Sequence, residues 1–233
     1  MVLISIDGAC RRNGSPTCVA AGGVFIQHMP EKYLTTTSRT LSVPERHSTN
    51  QRGELLALLT ALGHVQGIQY INEPDNRYVY IVTDSEYLFN AMTKGWYNTW
   101  YNNNWLNAVG EQVKNKDLWS RIYHAYNACV DRGIEIMFYH IKGHVIPFGK
   151  VTAAKLLADD NSGKTLAEAV GKKYDEVSTI VPSCKRRLQH ATELSERNNG
   201  FVLPPDILKL FVVANIVADT VATECVEAED RRR

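Results

Sequence analysis

The pattern of hydrophobic and polar positions divides the chain into a first part that mixes strands and helices and a later part that is helical. Short alternating or β-branched segments bounded by turn residues predict strands. In chain order these strands are Met1–Asp7, Val19–Gln27, Tyr33–Leu41, Tyr78–Thr83 and Ile134–Ile141. Three strands, a helix, a strand, further helices and a last strand are typical of an α/β sheet that begins with an antiparallel portion.

Apolar residues at helical spacing predict the helices. One begins at Ser48-Thr49-Asn50, another follows Asp84 to about Thr93, and two more cover Leu106–Val113 and Asp117–Arg132. From about Pro147 to Pro204 the chain is mostly polar with helical patterning. A long apolar helix is then predicted from Pro205 through about Glu227, and the charged tail beyond it is predicted to be disordered.

Composition and charge narrow the class of protein only a little. The 233 residues are 44% hydrophobic and carry a net charge of +1, so the strongly basic balance of many nucleic-acid binders is absent. A surface that binds a polyanion must therefore come from locally clustered basic groups. The 5 cysteines form no Cys-x-x-Cys pair, which indicates reduced thiols in an intracellular protein, cytoplasmic or nuclear and not secreted. No signal peptide or run of transmembrane length is evident, so no membrane partner is expected.

Four carboxylates occupy positions where an unpaired charge is costly. Asp7 and Asp84 end predicted strands, and Glu54 lies beside the apolar stripe of a helix. Asp219 is a lone charge in an apolar helix. Any one of them alone is explained by a capped turn or a surface ion pair, but acids converging from several elements suit Mg²⁺ or Mn²⁺. Two such ions together can support hydrolysis of a phosphodiester.

The segments that carry these acids resemble type 1 ribonuclease H. They are Asp7–Gly14, Thr49–Leu55, Val82–Tyr87, Val113–Trp119, Lys142–His144 and Asn215–Asp219. The resemblance covers about residues 1–146 and 205–227, in the family's order. It implies an α/β fold of the ribonuclease H-like kind, with a five-stranded mixed sheet flanked by helices. Residues 147–204 would then be a mostly helical insertion and residues 228–233 a tail.

The resemblance also implies an activity and a set of catalytic residues. The enzyme would be an endonuclease that hydrolyses the RNA strand of RNA–DNA hybrids and leaves 5′-phosphate and 3′-hydroxyl ends. Two divalent ions, Mg²⁺ or Mn²⁺, would be its cofactors. The implied metal ligands are Asp7, Glu54, Asp84 and Asp219. His144 would assist proton transfer or product release.

Further residues match the family's substrate contacts. The residues that would read the 2′-hydroxyls of the RNA strand are Asn13, Asn50 and Gln51. Those that would hold a phosphate of the DNA strand are Thr49 and Asn115, with His47 where the family usually has arginine. Trp100 matches the aromatic residue that packs on a deoxyribose. Because an imidazole holds phosphate less strongly than a guanidinium, hybrid affinity is expected to depend on pH.

Several features leave alternatives open. The family's lysine-rich protrusion is replaced by the neutral, aromatic stretch Tyr97–Trp105, and Trp96 and Trp105 are expected mainly in the core. Asp159 or Asp160 competes with Asp219 for the last metal ligand. The run Lys185-Arg186-Arg187 of the insertion is either a nucleic-acid or protein contact or a solvated helix face. The rival functions are a non-catalytic hybrid-binding module and a nuclease of the same fold that acts on DNA.

Overall fold

A five-stranded mixed sheet organises the chain in the computed structural model, which describes residues 2–28, 37–46, 48–68, 77–144, 166–180 and 182–232. The strands are β1 (Val2–Arg11), β2 (Val19–His28), β3 (Thr37–Arg46), β4 (Tyr78–Thr83) and β5 (Glu135–His140). The helices are α1 (Asn50–Gly67), α2 (Glu86–Thr93), α3 (Trp96–Asn102), α4 (Lys116–Asp131), α5 (Leu166–Ile180), α6 (Pro182–Asn199) and α7 (Pro205–Arg231). The predicted α/β fold with a five-stranded mixed sheet is thereby confirmed.

The strand order β3-β2-β1-β4-β5 places β1 in the middle of the sheet. The pairs β1–β2 and β2–β3 are antiparallel, as short connections allow, whereas β1–β4 and β4–β5 are parallel. Parallel neighbours end at the same edge of a sheet. The end of β4 and the later part of β1 therefore lie at the same edge of the sheet. Asp84, directly after β4, and Asp7, in β1, are both at this edge.

Helices cover both faces of the sheet, because the strands alternate apolar side chains toward each face. On one face, Leu55 and Leu58 of α1 and Trp119 of α4 share a core with Ile4 and Ile26. The opposite core joins side chains of the sheet, α5 and α7, among them Leu3, Phe25, Val170, Phe211 and Val217. The C-terminal helix thus completes the second layer of the fold. None of the described helices combines the length and apolarity needed to cross a lipid bilayer.

Helices α1 and α7 approach strand β2 closely, from opposite faces of the sheet, at the adjacent glycines Gly22 and Gly23. A Cβ on Gly22 would lie 2.5 Å from the backbone nitrogen of Ala57 in α1, and one on Gly23 would lie 2.1 Å from the carbonyl oxygen of Ala218 in α7. Real side chains do not fit at such distances. The two glycines therefore set how closely α1 and α7 approach the sheet, and α7 carries Asp219 one residue after the contact.

One predicted helix and the end of one predicted strand were wrong. Residues 106–113 form no helix; they make turns and a single bridge between Leu106 and Gln112, and the Asn107 side chain accepts hydrogen bonds from Val109 N and Glu111 N. An asparagine side chain that bonds the backbone ahead of it competes with helix formation. The third strand ends at Arg46 rather than Leu41, because it pairs along the whole of β2. The predicted start of that strand, at Tyr33, lies outside the described residues.

The expected disorder of the C-terminal tail was also wrong for the residues that the structure describes. Helix α7 continues past Glu227 to Arg231. Asp230 forms ion pairs with Arg11 and Arg12, and Glu229 pairs with Arg46. These contacts join the last turns of the helix to the ends of β1 and β3. Helix formation in this segment is thus supported by tertiary ion pairs that local sequence does not reveal.

The described part of the predicted insertion, residues 166–180 and 182–204, is largely helical. Helix α5 packs on α7, and α6 packs on α5 and on the edge strand β5. That residues 147–204 form an insertion into a discontinuous domain stays a prediction.

Replacing Gly23 by alanine is expected to destabilise the protein by about 2–3 kcal/mol, since the added methyl group would collide with the backbone of α7. Denaturant unfolding would measure the loss. The control is Gly63→Ala, because Gly63 lies in α1 with nothing within 4 Å of its missing Cβ. That change should be neutral or stabilise by up to about 1 kcal/mol. Equal effects of the two substitutions would contradict the close contact.

Candidate active site

Three buried or partly buried acids meet at the parallel edge of the sheet. Asp7 lies within β1, opposite Gly23 of β2, and not at the end of the strand as predicted, since β1 continues to Arg11. Asp84 directly follows β4, and Glu54 lies in the second turn of α1. One carboxylate oxygen from each of these acids lies within 4.8 Å of the other two. The sheet and α1 therefore gather three anionic groups that are distant in sequence.

Helix α7 brings the fourth acid to the same place. The Asn215 side chain donates a hydrogen bond to Asp7 Oδ2 at 3.3 Å, and Asp219 follows it by one helical turn. Burial raises the pKa values of Asp7, Glu54 and Asp84, and the charge of Asp219 raises them further. Asp219 thus lies beside the other three, whereas its rivals Asp159 and Asp160 lie outside the described residues.

Burial and mutual repulsion dominate the electrostatics of this four-carboxylate cluster. Burial raises the pKa of Asp7 well above its ordinary value, and the nearby Asp84, Glu54 and Asp219 raise it further; the Gly8 N–H, which donates to Asp7 Oδ1 at 2.6 Å, opposes them. Burial and the charge of Asp84 likewise raise the pKa of Glu54. The cluster is therefore unfavourable in its ionised form unless a cation joins it.

The donor set fits a hard divalent cation. All four side chains offer carboxylate oxygens, the ligands that Mg²⁺ and Mn²⁺ prefer. Glu54 is 7% exposed, and its Oε2 atom is buried without a hydrogen-bond partner. A buried carboxylate oxygen without a partner is costly. A metal ion would satisfy it, so the observation fits a cation site.

The loop after β5 contacts the cluster at Asp84 and Asp219. A Cβ on Gly143 would lie 1.8 Å from Asp84 Oδ2, so a larger residue at this position would displace the carboxylate. His144 follows in a left-handed conformation with φ of 51°. Its Nδ1 atom lies 3.9 Å from Asp219 Oδ2, and its side chain is 79% exposed. The imidazole therefore stands at the rim of the cluster, facing solvent.

The residues predicted to contact the substrate lie around the start of α1. Thr49 is the N-cap of this helix, and its Oγ1 accepts a hydrogen bond from Arg52 N at 3.4 Å. Asn50 is the first residue of the helix. The Asn115 side chain, in the turn before α4, donates to Gln51 Oε1 at 3.1 Å. Asn13 is exposed in the turn between β1 and β2. His47 lies outside the described residues.

Arg52 joins these groups, and sequence reasoning did not single it out although it lies in a quoted motif. Its guanidinium forms two hydrogen bonds with Glu45, at 2.7 and 2.8 Å, and two with Asp117, at 2.8 and 2.7 Å. Hydrogen bonds from Arg52 lower the pKa values of both acids. Arg52 also donates to Asn115 Oδ1 at 3.4 Å. Its charge is thus matched within the protein, and it holds the turn before α4 against α1.

Trp100 is partly buried and packs its ring against neighbours. It stacks on Tyr87, with ring centroids 6.3 Å apart, and meets Trp119 edge-on at 5.3 Å. Trp105 is 8% exposed, which confirms its predicted place in the core. The same prediction for Trp96 was wrong, because that side chain is 37% exposed on the short helix α3. Helical spacing alone did not distinguish these two tryptophans.

Comparison with known proteins identifies sequences and structures that are similar to this chain. The sequence model of the ribonuclease H family, described as RNase H, matches residues 1–161. A protein named Ribonuclease H from Clostridium botulinum is 31% identical over 143 residues, which are 61% of this chain and 83% of that protein. A Ribonuclease H from Rickettsia canadensis is 33% identical over 157 residues, 67% of this chain and 86% of the relative. Among solved structures, LC9-RNase H1 covers 80% of this chain and 84% of its own, with 22% identity and a TM-score of 0.48.

In the metal-free protein, the free energy of unfolding is expected to fall as pH rises above about 4, the range in which free carboxylates ionise. The raised pKa values of Asp7, Glu54, Asp84 and Asp219 mean that the unfolded chain releases these protons at lower pH than the folded chain does. Asp7→Asn should therefore stabilise the metal-free protein at pH 7 by roughly 1–3 kcal/mol. Denaturant unfolding between pH 4 and 8, in chelator, is the measurement.

The matched control for this experiment is Asp131→Asn, which removes an exposed acid near the end of α4. It should leave the pH dependence of stability as in the wild type. A wild-type protein whose stability rises steadily from pH 4 to pH 8 without metal would contradict the electrostatics described for the cluster.

Proposed function

We propose a site and a mechanism for this chain, which belongs to the ribonuclease H family and hydrolyses the RNA strand of RNA–DNA hybrids. The proposed site of hydrolysis is the four-carboxylate cluster, with two divalent cations bound. The observation that carries this proposal is the Oε2 atom of Glu54, which is buried without a hydrogen-bond partner beside Asp7 and Asp84 and within the electrostatic influence of Asp219. A folded protein tolerates such a group where a cation completes it. A non-catalytic hybrid-binding module has no need of such a cluster.

Each acid has a part in this proposal. Asp7 and Asp84, from the centre of the sheet, would hold the cations most directly. Asp219 would complete one metal site, and Glu54 would lie beside the attacked phosphate. When bound, Mg²⁺ or Mn²⁺ supplies the Lewis acidity that activates a water molecule and stabilises the leaving oxygen. The products are a 5′-phosphate and a 3′-hydroxyl.

His144 is proposed to move a proton at the rim of the site. An imidazole can both accept and donate a proton, and this one is exposed and close to Asp219. The left-handed backbone at His144 and the glycine before it place the ring beside the cluster without burying it. The role proposed for its ring nitrogens is to receive a proton during hydrolysis or to assist departure of the product.

The start of α1 and the turn before α4 supply the proposed contacts to the two strands of the hybrid. The RNA strand would be read at its 2′-hydroxyls by amides that both donate and accept hydrogen bonds, namely those of Asn13, Asn50 and Gln51. The DNA strand would be held by Thr49, Asn115 and His47 at a phosphate and by Trp100 at a sugar. Because Arg52 is already matched by two carboxylates, this phosphate pocket would rely on Thr49, Asn115 and His47 rather than on a free arginine.

Helix α6 is proposed as an additional contact to the nucleic-acid backbone. Arg186 and Arg187 are exposed, and the guanidinium of Arg187 donates to the carbonyl oxygen of His144 at 3.4 Å. The basic end of α6 therefore lies beside the loop that carries the proton-transfer histidine. The Lys185 side chain lies outside what the structure describes.

The first test is Asp84→Asn assayed on matched RNA–DNA hybrid, RNA duplex and DNA duplex, with Mg²⁺ and with chelator. Wild type should cut only the RNA strand of the hybrid and only with metal. The variant should lose at least about 100-fold in turnover, because one metal ligand loses its charge while the side-chain volume is kept. Its circular dichroism should match that of the wild type. Full activity of a folded variant would reject the assignment, and equal cutting of DNA duplex would favour a DNA nuclease.

A second test identifies the last metal ligand. Asp219→Asn should lower turnover strongly, since Asp219 lies beside Asp7, Glu54 and Asp84. The matched substitutions Asp159→Asn and Asp160→Asn, within the family-matched stretch, should change turnover by less than about threefold. Loss of activity in either of these, with an active Asp219→Asn enzyme, would transfer the role to the earlier acids.

A further inference from the structure

A buried histidine at the edge of the sheet connects the end of β4, where Asp84 follows, to helix α6. His140 is the last residue of β5 and pairs in register with Thr83 of β4. Its side chain is 3% exposed, and its Nε2 atom lies 3.2 Å from the backbone carbonyl oxygen of Asp84. The histidine therefore contacts the main chain of a proposed metal ligand without touching the carboxylate itself.

The partners of His140 select one tautomer of its ring. A carbonyl oxygen only accepts, so Nε2 must carry the proton that it donates to Asp84. In the neutral ring, Nδ1 is then left to accept a hydrogen bond, and the Asn198 side-chain amide of α6 lies 2.7 Å from it. Both ring nitrogens are satisfied in this arrangement. The Phe89 ring, with its centroid 5.6 Å from that of His140, packs beside the imidazole.

The next residue of α6 binds the backbone of the same histidine. Asn199 Oδ1 accepts from His140 N, and Asn199 Nδ2 donates to His140 O, both at 3.0 Å. Strand β5 is the edge of the sheet, where outward backbone groups lack a neighbouring strand. The amide of Asn199 takes the place of that strand at one residue. Its Nδ2 atom also lies 2.8 Å from the hydroxyl of Ser195, which is fully buried one turn earlier.

Asp84 is contacted both at its backbone and at its side chain. Its carbonyl oxygen is held by His140, and its carboxylate lies against Gly143, where an added Cβ would displace it. Both contacts come from the end of β5 and the loop after it. A shift of β5 would therefore move the carboxylate of Asp84 relative to Asp7 and Glu54. Because α6 holds His140 through its side chain and its backbone, α6 restrains that shift.

We propose that His140 is a positioning residue for the metal-binding carboxylate of Asp84, and that α6 completes the active site by holding His140 through Asn198 and Asn199. This inference rests on the proposed function, since it assigns Asp84 a metal ion to bind. It gives the helical segment after the histidine loop a role in metal affinity, separate from any contact with nucleic acid.

The test compares three variants of the full chain by Mn²⁺ calorimetry without substrate, and by the Mg²⁺ concentration that gives half-maximal cleavage. His140→Leu removes both ring nitrogens and should weaken Mn²⁺ binding by about tenfold, as loss of an outer partner of a metal ligand does. His140→Gln keeps a donor at the same reach and should stay within about threefold of wild type. Asn198→Ala should weaken binding in the same direction by a smaller factor.

The control for α6 is Thr192→Ala, because the Thr192 hydroxyl bonds only within the helix among the contacts described, to Leu188 O. It should leave Mn²⁺ affinity unchanged. Unchanged affinity in folded His140→Leu and Asn198→Ala would overturn the proposal, as would a His140→Gln protein as weak as His140→Leu. If His140→Leu does not fold, Asn198→Ala and His140→Gln still decide the question. A wild type that binds Mn²⁺ but leaves hybrids uncut would instead refute the proposed function.

Discussion

Repulsion among carboxylates held away from water is the constraint on which the rest of this structure depends. Asp7 and Glu54 are almost wholly buried, and Asp84 and Asp219 lie beside them. In the absence of a cation, burial and like charge both oppose their ionisation. The fold must therefore be stable enough elsewhere to hold these groups together, and its two hydrophobic layers supply that stability.

The way in which the acids are held follows from the sheet. Two of them come from parallel neighbouring strands at the centre of the sheet, a third from the helix on one face, and the fourth from the helix on the other. Glycines let those helices approach: Gly8 lies against the backbone of Glu54, and Gly23 against that of Ala218. Small residues on the strands thus determine how near the acids on the two helices come to those on the sheet.

Polar side chains of α6 form hydrogen bonds with the edge strand β5. Strand β5 has no neighbouring strand on its outer side in the described sheet, and α6 covers it with the side chains of Asn198 and Asn199. The same contacts satisfy the buried His140, which donates to the backbone of Asp84, a proposed metal ligand. Covering an exposed strand edge and fixing the position of Asp84 are therefore achieved by one set of hydrogen bonds.

By itself the sequence determined the strands, most of the helices and the identity of the acids, because each of these is written in local patterns. An acid in an apolar segment stands out at any position, and alternation or helical spacing follows from neighbouring residues. Only the tertiary structure decided that residues 106–113 form turns, that Trp96 is exposed, that α7 extends to Arg231, and that Asn215, one turn before Asp219, donates a hydrogen bond to Asp7. It alone revealed His140, whose side-chain partners are Asp84, directly after β4, and Asn198 of α6. Such outcomes depend on contacts between residues far apart in the chain, which a local pattern does not encode.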